Sequence, residues 1–273
     1  MKLSCLPVSY FKEIINGSKS ILDWAKEGKN LGLDAVDISV LFIRNKTKKE
    51  LIEIRDKLSS LGIGIAVTTT YPDFTHPDAE HRKREIDLFL EDMNNLSLLG
   101  TKYIRITSGQ AHPDTKREEG IKWALEGFSR IIEPAEKLRI QLVFENHAKP
   151  GVWEYPDFAF PTDIFLEIAD NIKETPIKIL FDTANPVAFG DDPIKLLSKV
   201  INRVVCMHIS DTEVKGALKP VVIGTGVVPL KSIFLFLKEG KYDGWLCIEE
   251  ASNKGEQGII RAINYIKENC LTK

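Results

Sequence analysis

Short runs of β-branched and aliphatic residues alternate along this chain with longer stretches whose apolar positions recur every three or four residues. Runs of the first kind read as strands buried on both faces, and stretches of the second kind as helices with one apolar side. Strands are predicted at 3–8, 35–41, 63–70, 103–107, 140–146, 177–182, 204–209 and 245–250. Helices are predicted between them at 18–29, 47–60, 78–99, 116–138, 161–172, from Pro193 onward, at 229–238 and at 256–269. Ser18 is the expected cap of the first helix, and Leu51, Ile54 and Leu58 share one face of the second. Pro161 and Pro193 suit a first helical turn, where a missing N–H costs nothing. Eight strands alternating with eight helices predict an α/β protein, a (β/α)8 TIM barrel forming a single domain over 1–273. A doubly wound open sheet gives a similar string.

Composition narrows the partners. A length of 273 residues with 43% hydrophobic and 28% charged positions fits a folded protein with a substantial core. The net charge of -2 and the lack of a Lys/Arg run argue against nucleic acid, so a small molecule is the expected partner. Cys5, Cys206, Cys247 and Cys270 lack paired spacing and read as free, buried thiols. With no signal peptide apparent and no stretch approaching the roughly 20 apolar residues of a membrane helix, a cytoplasmic location away from membranes is expected. A homo-oligomer is allowed but not required. The longest irregular stretch, 148–160, carries Trp153, Tyr155, Phe158 and Phe160 and is expected to form a wall or lid over a ligand, or simply to pack on the rim.

In a parallel barrel the C-terminal strand ends face a common mouth. The fifth predicted strand ends in Glu145-Asn146-His147, the sixth in Asp182-Thr183, the seventh in His208 with Asp211 nearby, and the eighth in Glu249-Glu250. One such residue would be a helix cap or a solvated group. Four consecutive strands delivering carboxylate, carboxylate, imidazole and carboxylate would repel unless a cation sits among them. Glu145, Asp182, His208 and Glu249 form a mixed O/N set for one divalent metal, Mn2+, Mg2+, Co2+ or Zn2+. Strand alternation turns Glu249 inward and Glu250 outward, and places Cys206 and Cys247 inside the barrel one layer below.

On Phe-Glu-Asn-His at 144–147, Phe-Asp-Thr-Ala-Asn at 181–185, His-Ile-Ser-Asp at 208–211, Gly-Thr-Gly at 224–226 and Tyr-Asp-Gly-Trp-Leu-Cys-Ile-Glu at 242–249, the chain resembles the xylose isomerase-like barrels. These include ketose 3-epimerases, hydroxypyruvate isomerase, inosose dehydratase and, more distantly, endonuclease IV. The resemblance implies that Glu145, Asp182, His208 and Glu249 hold the metal and that Glu145 and Glu249 exchange a substrate proton. It implies an isomerase or epimerase acting on a small sugar, sugar phosphate or keto-sugar through an enediolate, with a dehydratase or a non-catalytic sugar-binding barrel as alternatives. Two positions depart from the pattern: Asn185 stands where many members have histidine, and Ser210 where many have lysine.

Further residues are candidates for substrate contact. Arg105 on the fourth strand can reach the mouth, or instead pair with a ligand carboxylate. His112 and His147 lie on loops beyond strands, and surface placement is the simpler reading for His112. Trp153 in the long loop, Asn185 and Asp211 complete this set. Asp37 is expected to point inward from the second strand. Gly224-Thr225-Gly226 reads as a turn, with an anion cradle as the alternative.

Overall fold

The computed structural model describes residues 1–271. Eight parallel strands, β1 (Lys2–Leu6), β2 (Ala35–Ser39), β3 (Gly64–Thr69), β4 (Tyr103–Ile106), β5 (Gln141–Glu145), β6 (Lys178–Asp182), β7 (Val204–Ile209) and β8 (Trp245–Glu249), pair in the order β1-β8-β7-β6-β5-β4-β3-β2. The predicted barrel is therefore the observed one. Among the described residues ten α-helices accompany the strands: α1 (Phe11–Ile15), α2 (Ile21–Asn30), α3 (Lys48–Leu61), α4 (Ala79–Leu99), α5 (Arg117–Lys137), α6 (Thr162–Asn171), α7 (Asn185–Phe189), α8 (Pro193–Val200), α9 (Leu230–Glu239) and α10 (Gly255–Ile266). The short α1 and α7 escape a periodicity reading because one turn shows no repeat.

Several ends differ from expectation for local reasons. β1 stops at Leu6 because Pro7 cannot donate to the ladder, and a 3-10 turn follows at Val8–Tyr10. β2 stops at Ser39, whose Oγ accepts from the Leu41 N–H and turns the chain into a second 3-10 turn. Ser20, not Ser18, caps α2, because Asp23 at the third helical position completes a reciprocal capping box with it.

The two ends of the sheet, β1 and β2, meet at a seam held by aspartates. The Asp34 N–H donates to the Leu3 carbonyl, the Leu3 N–H to Asp34 Oδ2, each at 2.8 Å, and Ser4 Oγ donates to Asp37 Oδ2 at 2.7 Å. The register of β2 against β3 shifts between Val36 and Ile38, and Asp37 Oδ1 accepts the Val67 N–H at 2.9 Å across that irregularity. Asp37 is inward and polar, as its place in the strand suggested.

Most of the core lies between strands and helices, with Trp24, Phe128, Phe144, Phe165 and Phe234 fully buried. A second, smaller cluster of Ala35, Ala66, Val67, Val143, Leu180, Cys206 and Cys247 fills the barrel interior. Both thiols therefore sit where alternation put them. No helix among the described residues is long and apolar enough to cross a membrane.

Candidate metal centre and its cleft

The interior cluster fixes which side chains reach the mouth. Val143, Leu180, Cys206 and Cys247 point into the barrel, so residues two further along each strand, Glu145, Asp182, His208 and Glu249, point the same way. In the ladders Glu145 lies level with Leu180, Asp182 with His208, and His208 with Cys247. The four thus climb by two residues from β5 to β6 and again from β7 to β8. Strands tilted against the barrel axis need that stagger to bring residues to one height. One ligand atom from each of the four lies within 4.8 Å of the others.

Their charges are strongly coupled. His208 Nδ1 lies 2.6 Å from Glu145 Oε1 and 3.1 Å from Glu249 Oε2, and Arg105 Nη1 lies 3.3 Å from Glu145 Oε2. Burial would raise the pKa of Glu145, yet the cationic His208 and Arg105 hold it down to about 2. Burial disfavours a charged His208, but Glu145 and Glu249 on either side raise its pKa well above the ordinary value. Asp182 is pushed up to about 8 by burial and then by the charges of Glu249 and Glu145. Three carboxylates crowded around one proton are a poor resting arrangement. The donor set fits a divalent cation, which would take over the neutralising role of the His208 proton.

Neighbouring side chains aim these groups. Asp182 Oδ1 accepts from the Ala184 and Asn185 N–H groups at 2.8 and 2.7 Å, and Oδ2 accepts from Ser210 Oγ at 2.6 Å. Asn146 exchanges two bonds with the Asp182 backbone, at 2.7 and 3.0 Å, and so ties the end of β5 to the end of β6. Sequence reasoning did not single out Asn146, and it noted Ser210 only as a departure. Glu250 is buried away from the group, where it accepts from the hydroxyls of Ser9 and Ser252 and from the Ser252 N–H.

The cleft above the group is lined by Asp182, Glu249, His147, Asn185 and Ser210 with apolar Leu218, and encloses about 50 Å³. That is well short of a small-molecule pocket of about 300 Å³ or more. Glu249 is the accessible carboxylate of the set, its side chain 26% exposed against 0% for Glu145.

The remaining candidates divide. Arg105 is buried against Glu145 and over the Tyr71 ring, so its guanidinium is directed at that carboxylate. His112 is placed outside the cleft: its Nε2 bonds Asp73 Oδ2 at 2.8 Å and its ring packs edge-on against His76 and Tyr155. His147 lines the cleft, and Trp153 packs perpendicular to it with ring centroids 6.4 Å apart. Asn185 reaches the cleft while its Nδ2 donates to the Asn146 carbonyl at 3.0 Å. Asp211 lines the cleft and also anchors a loop: its carboxylate accepts from the N–H groups of Thr212, Gly224, Gly226 and Val228 at 2.8–3.1 Å. The chain's own carboxylate thus fills the Gly224-Thr225-Gly226 loop. A Cβ at position 226 would lie 2.3 Å from Asp211 Oδ1, which is why glycine stands there.

An eight-stranded parallel barrel with three carboxylates and an imidazole converging at its C-terminal mouth places a group able to hold a metal ion where TIM-barrel active sites lie. The sequence matches the family described as xylose isomerase-like TIM barrel over residues 25–269, and the chain belongs to that family. It is 26% identical over 251 residues to an inosose dehydratase of Clostridium tetani, covering 82% of this chain and 81% of that protein. Its fold is similar to that of a D-tagatose 3-epimerase-like protein, with a TM-score of 0.79, 20% identity and coverage of 98% and 97% of the two chains. It is equally similar to an IolI protein with a bound zinc atom, with a TM-score of 0.79, 18% identity and full coverage of both chains.

Proposed function

We propose that this protein is a divalent-metal-dependent enzyme that moves the proton next to the carbonyl of a small sugar or sugar-derived ketone. The observation that carries the reading is the convergence of Glu145, Asp182, His208 and Glu249 beside a cleft that Asp182 and Glu249 line, Glu249 being about a quarter exposed. Mn2+, Mg2+, Co2+ and Zn2+ all suit these donors, and a bound cation supplies the positive charge that makes a proton beside a carbonyl acidic. Glu249 takes that proton and returns it. Asp182, oriented by Ser210 and two backbone N–H groups, and His208 hold their positions. Glu145, enclosed by Arg105 and His208, is held anionic and acts as a proton carrier only once the site rearranges. Return of the proton by Glu249 to the neighbouring carbon gives isomerisation, whereas epimerisation needs a second acid to deliver a proton to the opposite face of the same carbon.

Loss of a hydroxyl from the next carbon, which is dehydration, is the second reading. It is favoured by the inaccessibility of Glu145, which leaves one open carboxylate where epimerisation draws on two. The family resemblance to an inosose dehydratase points the same way.

Deuterium exchange tests the proposal. Wild-type protein loaded with Mn2+ should wash deuterium from D2O into the carbon beside the carbonyl of an accepted inosose or ketohexose, and NMR of the product separates epimer from dehydrated ketone. Glu249→Gln with its metal retained should lose exchange by about 100-fold or more. Undiminished exchange in that variant would remove Glu249 from the proton path.

A further inference from the structure

The stretch 148–160 folds back so that Asp157 lies beside His147, and its backbone is fixed there. The Asp157 N–H donates to the Ala148 carbonyl at 2.7 Å, the Phe158 N–H to the Gly109 carbonyl at 2.8 Å, and the Ala111 N–H to the Pro156 carbonyl at 2.8 Å. One carboxylate oxygen is fully used: Asp157 Oδ1 accepts from Ser108 Oγ and from the Ala159 N–H. The other, Oδ2, is buried without a hydrogen-bond partner. His147 Nδ1 is likewise buried and without one, and the two atoms face each other at 3.6 Å. Buried polar atoms seldom remain orphaned, and these two are complementary once the ring closes to about 3 Å. Trp153, packed edge-on, limits how far that ring can turn.

We propose that Asp157 is a positioning residue that holds His147 in its Nδ1–H tautomer, so that Nε2 faces the cleft as a hydrogen-bond acceptor for a hydroxyl of the substrate. A carboxylate oxygen with no proton can only accept, so the ring proton between the pair resides on His147 Nδ1. The hydrogen bond made by one imidazole nitrogen sets the state of the other. Nδ1 is the enclosed nitrogen, which leaves Nε2 for the cleft that His147 lines. The site then selects a substrate bearing a hydroxyl at that point, in preference to one with a carbonyl or ether oxygen there. The role of the substrate rests on the function proposed above; the tautomer does not.

Asp157→Asn separates the two possibilities with almost no change of shape. The amide oxygen stays with the Ser108 and Ala159 donors, so the amide NH2 faces His147 and forces Nδ1 to accept, which moves the ring proton to Nε2. The experiment is 15N NMR of the full chain, labelled at histidine and loaded with Zn2+ or Mg2+, at a pH where neutral imidazole dominates. His147→Gln assigns the signal. Wild type should show His147 with a protonated Nδ1 and a bare Nε2, and Asp157→Asn should reverse them. A bare Nδ1 in wild type, or an unchanged tautomer in the variant, overturns the proposal. Should the variant fail to fold, wild type alone decides, because a hydrogen bond to Asp157 requires an exchange-protected Nδ1–H and its absence is equally fatal. With an accepted substrate, Asp157→Asn should raise KM about tenfold with little loss of kcat. A reversed tautomer with unchanged KM overturns the assignment to the substrate hydroxyl. If no substrate turns over at all, the proposed function fails while the tautomer result stands.

Discussion

Asp37 lies fully buried where β1, β2 and β3 meet, with Ser4 Oγ and the Val67 N–H as its donors. Burial raises its carboxyl from the ordinary 3.8 to about 6, the two hydrogen bonds opposing that rise without cancelling it. Between those values the folded protein binds a proton that the unfolded chain has released. A raised carboxyl therefore contributes stability that is complete below the unfolded pKa and is lost as pH rises through the folded one. A shift of about two units corresponds to roughly 3 kcal/mol at 1.36 kcal/mol per unit. Asp37→Asn keeps an acceptor for Val67 and a donor for Ser4 Oγ but carries no charge at any pH. The unfolding free energy of the variant relative to wild type should rise by about 2.4 kcal/mol between pH 4 and pH 7, the unfolded carboxyl being already more than half ionised at pH 4. Urea denaturation of both metal-free proteins at several pH values in this window measures it. A pH-independent difference, or one that falls with pH, would refute the account of a seam that carries a costly buried charge.

Two further outcomes follow from the mouth of the barrel. Wild-type protein should bind about one divalent ion per chain and gain about 2.7 kcal/mol of stability at a free ion concentration 100 times Kd. Elemental analysis and thermal shift should show that gain lost in Glu145→Ala, Asp182→Ala and His208→Ala but kept in Glu250→Gln, and equal loss in Glu250→Gln would contradict the inward and outward assignment on β8. Asp211→Ala strands four N–H donors and should cost about 2–4 kcal/mol, with amide exchange of Gly224, Gly226 and Val228 accelerated most; uniform acceleration across the barrel would contradict a local anchor.

Much of this was legible in the linear chain because strand periodicity is rigid. A period of two places Val143 with Glu145, Cys206 with His208 and Cys247 with Glu249 on one face, and the ends of successive parallel strands must share a mouth. The barrel, the convergence of Glu145, Asp182, His208 and Glu249, and the outward turn of Glu250 follow from those rules and local order. Contacts made by loops do not, since a loop has no period to extrapolate. Hence His112 falls to Asp73 and not to the cleft, and Asp211, although at the cleft, spends its carboxylate on the Gly224-Thr225-Gly226 backbone. The same holds for Arg105, whose strand position was readable while its partner depended on how closely Glu145 approaches from β5. Only the tertiary fold brings Asp157 back against His147, closes the seam through Asp34 and Asp37, and leaves Glu249 open while enclosing Glu145. Sequence order decides which face a strand residue takes; which group it meets there, and whether water reaches it, are decided by chain closure over long separations.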